Sequence, residues 1–268
     1  MCELCNSAGL QHLTRRRVVV SSVAGAAALG LAVGVRGHFG ARASEGETWT
    51  YEDQDAWGDL KDPESPLCSS GREQSPIDLV AEETVDLPDV DFGTTTLSPI
   101  SLANNGHTIK ILPQDVEAYM IDGIAYKPIE IHFHTPSEHT FDGKLEPMEY
   151  HIVHKSEDGK LAVFGVVLRE GAENAALKVF FDNLPTEKAD AKDFEGTILL
   201  TDLMPENRTA FMYSGSLTTP PCAEGVRWNV FVEPMEASKE QIAAYAAIFP
   251  NSNRDIQDLN ERDYIMGE

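Results

Sequence analysis

From Ile129 to His134 the chain alternates residue by residue, with Ile129, Ile131 and Phe133 on one parity and Glu130, His132 and His134 on the other. A β-strand repeats every two residues, so the pattern predicts a strand that turns an apolar face to a core and both imidazoles to the opposite side, one pleat repeat apart. Around His151, seventeen residues after His134, Glu149-Tyr150-His151-Ile152-Val153 alternates again, with Glu149, His151 and Val153 on a common face. A neighbouring strand would bring His151 beside His132 and His134. Three neutral imidazoles leave a tetrahedral metal ion one open position, which is the arrangement of catalytic rather than closed structural sites. Glu130 and Glu149 each precede one of these histidines by two residues on the same face, placed to accept the other ring N–H and fix the tautomer. A histidine pair on a strand is by itself commonly solvated surface; the third histidine with its own acidic neighbour favours a metal. Ligand type alone does not choose among zinc, copper(II) and nickel(II).

The rest of the chain reads as more strands separated by turn chemistry. Tyr119-Met120-Ile121 and Ile124-Ala125-Tyr126 flank Asp122-Gly123, which suits a type I′ hairpin because glycine accepts positive φ. Asp142-Gly143 and Asp158-Gly159 punctuate two further turns, and Leu161 to Leu168 is a continuous apolar run, as for a strand buried on both faces. Helices are few. Ser238 and Gln241 form a capping box before Ile242–Ile248, with Pro250 as the stop, and 172–181 is a second candidate. Residues 44–75 read as irregular, with Asp, Pro, Ser and Gly between Trp49, Tyr51 and Trp57. With 268 residues and no internal repeat or low-complexity linker after Ser44, the expectation is one mainly β domain with short peripheral helices.

The N-terminus reads as an address. Arg15-Arg16-Arg17 precedes an Ala- and Gly-rich apolar run from Val18 to Val35, and Ala41-Arg42-Ala43 follows as a small-residue cleavage site. The adjacent arginines and modest hydrophobicity are similar to a twin-arginine signal, which exports folded proteins. Residues 1–43 are therefore expected to be a cleaved signal and 44–268 the catalytic domain, with Ser44 as the first mature residue. The run is short and weak for a membrane span, so none is expected to remain after processing. Residues 44–268 carry 16 basic and 43 acidic side chains, a net of −27, which repels nucleic acid and anionic membranes and argues against both as partners. Cys2 and Cys5 fall in the signal, leaving Cys68 and Cys222. In an oxidising compartment these two are expected to pair; two buried free thiols are the alternative.

Several segments together resemble the alpha-class carbonic anhydrases, in particular the exported bacterial type. They are Ile131-His132-Phe133-His134-Thr135-Pro136-Ser137-Glu138-His139, Glu149-Tyr150-His151-Ile152-Val153-His154 and Ser216-Leu217-Thr218-Thr219-Pro220-Pro221-Cys222. Gln74-Ser75-Pro76-Ile77-Asp78, Asn104-Asn105-Gly106-His107, Trp49-Thr50-Tyr51 and Val226-Arg227-Trp228 also match, in the family's order, over nearly all of 44–268. The resemblance implies a single domain around a large twisted, mostly antiparallel sheet. It also implies Zn2+ at the foot of a conical cavity and reversible hydration of CO2 to bicarbonate and a proton by zinc-hydroxide attack.

Residue by residue, it implies His132, His134 and His151 as zinc ligands. Thr218 would be the gatekeeper that donates to Glu138 and so orients the nucleophile, with Thr219 lining the same site. Val153, Val163, Leu217 and Trp228 would form the apolar wall for CO2. His107 would shuttle the proton, helped by waters ordered by Tyr51 and Asn105. His139 and His154 fall outside the triad, and parity puts His154 opposite His151, as a structural group. At Glu130 the family usually has glutamine; a carboxylate there adds negative charge beside the metal and is expected to shift the pH profile. Two rivals are a non-catalytic binding module of this fold and a zinc-dependent esterase. All three histidines being present argues against the first, and the absence of an H-E-x-x-H helix or a nucleophile elbow against the second. Export suits a periplasm or extracellular space, or a thylakoid lumen; monomer and homodimer both remain open.

Overall fold

The computed structural model describes residues 48–86 and 95–267. The expected signal and its cleavage point after Ala43 lie outside the described residues. A twelve-stranded mixed sheet dominates. Ten of its strands form a continuous path and are labelled here in chain order: β1 (Thr84–Val85), β2 (Ile100–Asn104), β3 (Ile109–Pro113), β4 (Ile124–His134), β5 (Met148–Ser156), β6 (Leu161–Glu170), β7 (Ala189–Phe194), β8 (Ala210–Ser216), β9 (Glu224–Phe231) and β10 (Ile265–Gly267). Their spatial order is β7-β2-β3-β4-β5-β6-β9-β8-β10-β1. Pairing along this path is antiparallel except for β6–β9 and β10–β1, which are parallel. Short strands Tyr119–Ile121 and Met235–Ala237 attach to β4 and β6. The mostly antiparallel sheet expected from the sequence is therefore present.

The turns form where their residues allow. Asp122 and Gly123 take φ of 49° and 76°, the two positive values a type I′ hairpin needs, and join Tyr119–Ile121 to β4. The same pair of conformations recurs at Asp142 and Gly143. In β6 all residues from Ala162 to Leu168 are buried. Phe164, Val166 and Leu168 enter a large core with Ile131, Phe133 and Ile152 on one face of the sheet. Val163 enters a smaller core on the other, with Val153, Val226, Trp228 and Phe211. That double burial explains the unbroken apolar run. The site lies on the second face.

Three sequence expectations change. The 172–181 helix reduces to Lys178–Phe181. Asn174 is drawn away from helical pairing: its N–H donates to Gln241 Oε1 at 2.8 Å, its carbonyl accepts from Gln241 Nε2 at 3.1 Å, and its side chain accepts from the Leu177 N–H at 3.0 Å. Gln241 also completes the capping box with Ser238, and that helix runs Lys239–Ala246, stopping short of Ile248. The strict alternation of 129–134 also breaks. Val153 faces Glu130 while His154 faces Pro128, so Ile129 is the extra residue of a β-bulge. Ile129 is 39% exposed at the cleft mouth instead of sharing the core with Ile131 and Phe133.

Candidate active site

The register of three strands assembles the histidines. His151 on β5 lies opposite His132 on β4, and Glu149 lies opposite His134. On the other side of β4, Lys110 of β3 lies opposite His132. Across β5, His151 faces Gly165 of β6. A Cβ at Gly165 would stand 3.0 Å from Glu149 Oε1 and 3.3 Å from Val230, so glycine here keeps room for that carboxylate.

Each imidazole turns one nitrogen away from the centre toward an acceptor. His134 Nδ1 donates to the Ser252 carbonyl at 2.6 Å. His151 Nε2 donates to Glu149 Oε1 at 2.8 Å. His132 Nδ1 lies 2.9 Å from Glu130 Oε1, although its N–H direction falls outside hydrogen-bond geometry. A carbonyl only accepts, so His134 carries its proton on Nδ1 and presents a bare lone pair at Nε2; the two carboxylates assign His132 Nε2 and His151 Nδ1 in the same way. The three groups offer ligand atoms within 4.8 Å of one another. His132 Nε2 and His151 Nδ1 are 3.3 Å apart, and buried His134 Nε2 has no partner. Burial lowers the pKa of all three rings, that of His134 to about 4, which keeps them neutral and able to ligate. Three lone pairs pointed at one another repel unless a cation sits between them. The donor set therefore fits a metal.

Glu149 is fully buried and satisfied four times. Oε1 accepts from His151 and from His139 Nδ1 at 2.7 Å, and Oε2 accepts from the backbone N–H groups of Glu138 and His139, both at 2.9 Å. Burial raises its pKa, but His139 and His151 outweigh burial and hold it well below the ordinary value. His139 in turn meets the Tyr213 hydroxyl at 2.8 Å through Nε2. His139 thus steadies the carboxylate that orients His151, a role not legible in its sequence position.

Glu138 is buried, and its Oε1 accepts from the Arg254 backbone N–H at 2.8 Å. Burial raises its pKa to about 7, against the opposing pull of the Thr218 hydroxyl and the Arg254 N–H. Thr218 is close enough to act on this carboxylate, yet Oε2 has no partner in full hydrogen-bond geometry. Thr218 and Thr219 share a cleft of about 260 Å³ with His132, His151, Val153, Val163, Leu217 and Trp228, so the expected wall and the expected polar groups do converge. Lys110 and Glu130 line it too. Lys110 Nζ lies 2.9 Å from Glu130 Oε2, so the carboxylate that departs from the family pattern is paired with a cation. Burial raises the Glu130 pKa, but His132 and Lys110 more than offset it and bring it down to about 2.

His107 is half-buried and stacks on Trp49, ring centroids 3.8 Å apart and planes 6° from parallel. Burial and the charges of Lys188 and Lys110 lower its pKa. Asn105 Oδ1 accepts from the backbone N–H groups of His107 and Thr108, both at 2.9 Å, so it builds the turn that presents His107. Tyr51 packs edge-on to His134, and its buried hydroxyl is unpartnered. His154 is remote in role, as parity required: it is buried between Tyr119, whose hydroxyl it meets through Nε2, and the Ala162 carbonyl. Cys68 and Cys222 form a disulfide across 154 positions of sequence, as expected. It ties the loop that follows Thr218 to the N-terminal segment, beside Gln74, whose side chain donates to the Cys222 carbonyl at 3.1 Å.

The model of the family described as eukaryotic-type carbonic anhydrase matches residues 52–264. The chain belongs to that family. Among its carbonic anhydrase relatives, one from Nostoc sp. is 40% identical over 214 residues, covering 77% of this chain and 80% of that protein. Another from Pectobacterium carotovorum is 36% identical over 233 residues, covering 85% and 94%. The alpha-carbonic anhydrase of Thermovibrio ammonificans, solved with the inhibitor sulfanilamide, superposes with a TM-score of 0.73 at 38% identity over 82% of this chain and 99% of its own. The matched region contains all three histidines, Glu138, Thr218 and His107. The chain is therefore a carbonic anhydrase by family and by fold.

Proposed function

We propose that this chain catalyses the reversible hydration of CO2 to bicarbonate and a proton, with one zinc ion held by His132 Nε2, His134 Nε2 and His151 Nδ1. The observation that carries the reading is the convergence of three imidazole lone pairs whose opposite nitrogens face Glu130, the Ser252 carbonyl and Glu149. Zinc held by these residues would supply a Lewis acid that brings the pKa of a bound water into the neutral range, for which carbonic anhydrases are the standard case.

The chain's own groups do the rest. With its pKa at about 7, Glu138 is ionised above neutral pH and then can only accept, so the Thr218 hydroxyl must spend its single proton on Glu138 and keep its lone pairs for the nucleophile's hydrogen. That fixes which way the nucleophile's own lone pair points. Val153, Val163, Leu217 and Trp228 offer CO2 an apolar surface and keep bulk water from competing for the same space. His107 Nε2 or Nδ1 takes up the product proton and releases it to buffer, with Tyr51 and Asn105 ordering the waters between. Thr219 completes the polar side of the cleft.

Metal analysis and stopped-flow CO2 hydration test this together. One zinc per chain, hydration well above the uncatalysed rate and its loss with a sulfonamide or in His134→Ala are expected. Zinc-loaded protein with no hydration activity would sink the proposal, as would a wild-type chain that takes up no zinc. We also infer that residues 1–43 export the chain to a periplasm, an extracellular space or a lumen. The Cys68–Cys222 bond supports an oxidising destination. Among the described residues no helix is long and apolar enough to cross a membrane. N-terminal sequencing of the exported protein should begin at Ser44; a start at Met1 rejects cleavage.

A further inference from the structure

The three imidazoles are not held equally. His134 and its carbonyl partner from Ser252 are buried, and His151 is held by a Glu149 carboxylate that four donors immobilise. Glu130 stands at the cleft rim, its side chain 22% exposed, with three rotatable bonds and water within reach. Left to itself, such a carboxylate gains as much from solvent as from one ring N–H, and it would orient His132 weakly. What the rim lacks in burial is supplied across the strand pair. Lys110 lies directly opposite His132 in the β3–β4 register, its ammonium 2.9 Å from Glu130 Oε2 while Oε1 stays 2.9 Å from His132 Nδ1. One carboxylate oxygen is therefore tethered and the other left facing the ring.

We infer that Lys110 is a positioning residue of the metal centre, which anchors Glu130 against His132 so that the charged pair does the work a neutral glutamine does alone. The inference rests on the metal reading above and adds to it a residue outside the matched motifs. An exposed ion pair is ordinarily worth little. The distinguishing consequence is coupling. Lys110 should matter to the metal only while residue 130 is a carboxylate, because an amide oxygen accepts from His132 without a counter-charge to hold it.

The test is the rate at which the zinc-loaded protein loses zinc to excess chelator at neutral pH. The forms compared are wild type, Lys110→Met, Lys110→Arg, Glu130→Gln and the double variant Lys110→Met/Glu130→Gln. Loss of such an outer partner costs about 10- to 100-fold in metal affinity elsewhere. Lys110 acts one step further out than that partner, so Lys110→Met should release zinc roughly threefold to tenfold faster than wild type. Lys110→Arg should restore the rate to within about twofold, and Lys110→Met should change it by less than about twofold when Gln is at 130. A lysine that served only folding would lower the melting temperature of the zinc-free protein and act alike in both backgrounds. Equal acceleration in both backgrounds, or none in wild type, overturns the inference while leaving the zinc site standing. A wild-type chain that binds no zinc overturns both.

Discussion

Glu149→Gln isolates the buried carboxylate that stands behind His151. Four donors converge on Glu149: the rings of His151 and His139 at 2.8 and 2.7 Å, and two backbone N–H groups at 2.9 Å. Glutamine has one acceptor oxygen and replaces the other with an NH2, so two of the four donors must face a donor. With the oxygen toward the rings, the N–H groups of Glu138 and His139 lose their acceptor; with the amide reversed, His151 must move its proton to Nδ1 to accept. In the first arrangement about two hydrogen bonds to a charge disappear, each worth about 1.5–3 kcal/mol; in the second the rings keep their partners only by giving up the tautomers they hold. Glutamine also escapes the cost of burying a charge. That relief is the smaller effect, because the carboxyl pKa lies well below its ordinary value despite complete burial, so the partners more than repay desolvation. The first arrangement therefore costs a net of about 3–6 kcal/mol, a large share of the stability typical of a domain. For a chain of this size it lowers the melting temperature of the zinc-free protein by about 6–24 °C. The reversed amide predicts a second effect, faster zinc release, since Nδ1 is the nitrogen His151 turns to the metal. Calorimetry of the zinc-free protein and chelator-driven zinc loss read the two separately. A melting point within about 2 °C of wild type, with unchanged zinc release, refutes the reasoning.

The disulfide spans 154 positions, and removing it as Cys68→Ala/Cys222→Ala should cost about 5 kcal/mol in the loop-entropy account. Denaturant titration should find that loss, and a change below about 1 kcal/mol would reject a stabilising role. His154 is buried neutral with its pKa lowered from 6.5 to about 3. Below pH 6.5 the unfolded chain therefore binds a proton that the native state refuses, and stability present above pH 6.5 is lost at about 1.4 kcal/mol per pH unit as pH falls toward 3. Chemical denaturation at pH 7 and pH 4.5 should show His154→Asn losing less than wild type; equal losses would remove His154 as a cause. His107→Ala should lower CO2 hydration turnover in weak buffer, with small imidazoles restoring it, and the wild-type proton-transfer profile should have its midpoint below pH 6.5 because burial and two lysines depress His107. Turnover that ignores both the substitution and the added imidazole counts against the shuttle.

Much of the site was legible because it is written in strand parity. His132 and His134 share a face by period two, as do Glu149, His151 and Val153, and the same rule sent His154 away from the cleft to Tyr119. The Asp-Gly hairpins and the Ser238 capping box were readable for a related reason, since their chemistry lies within four residues. Parity failed at Ile129, where an inserted residue turns outward. It also failed to shorten the 172–181 helix, since Asn174 is claimed by Gln241, 67 positions away. Partners that act through the backbone left little trace in residue type: any residue at 252 has the carbonyl that His134 uses, and any but proline at 254 has the N–H that Glu138 uses.

The sequence by itself determined which face of which strand carries the imidazoles, that two cysteines were available to close a long loop, and that the motifs run in carbonic anhydrase order. These are local or ordinal properties, and steric period and residue chemistry suffice for them. Only the tertiary structure decided that each ring is held from behind and by what. It showed a carbonyl 118 positions along the chain, a carboxylate shared with His139, and a rim glutamate tethered by Lys110 from the adjoining strand. Those contacts depend on register and on packing between segments remote in sequence, and hydrogen bonds a few tenths of an ångström long or short are set there rather than in any pattern of residues.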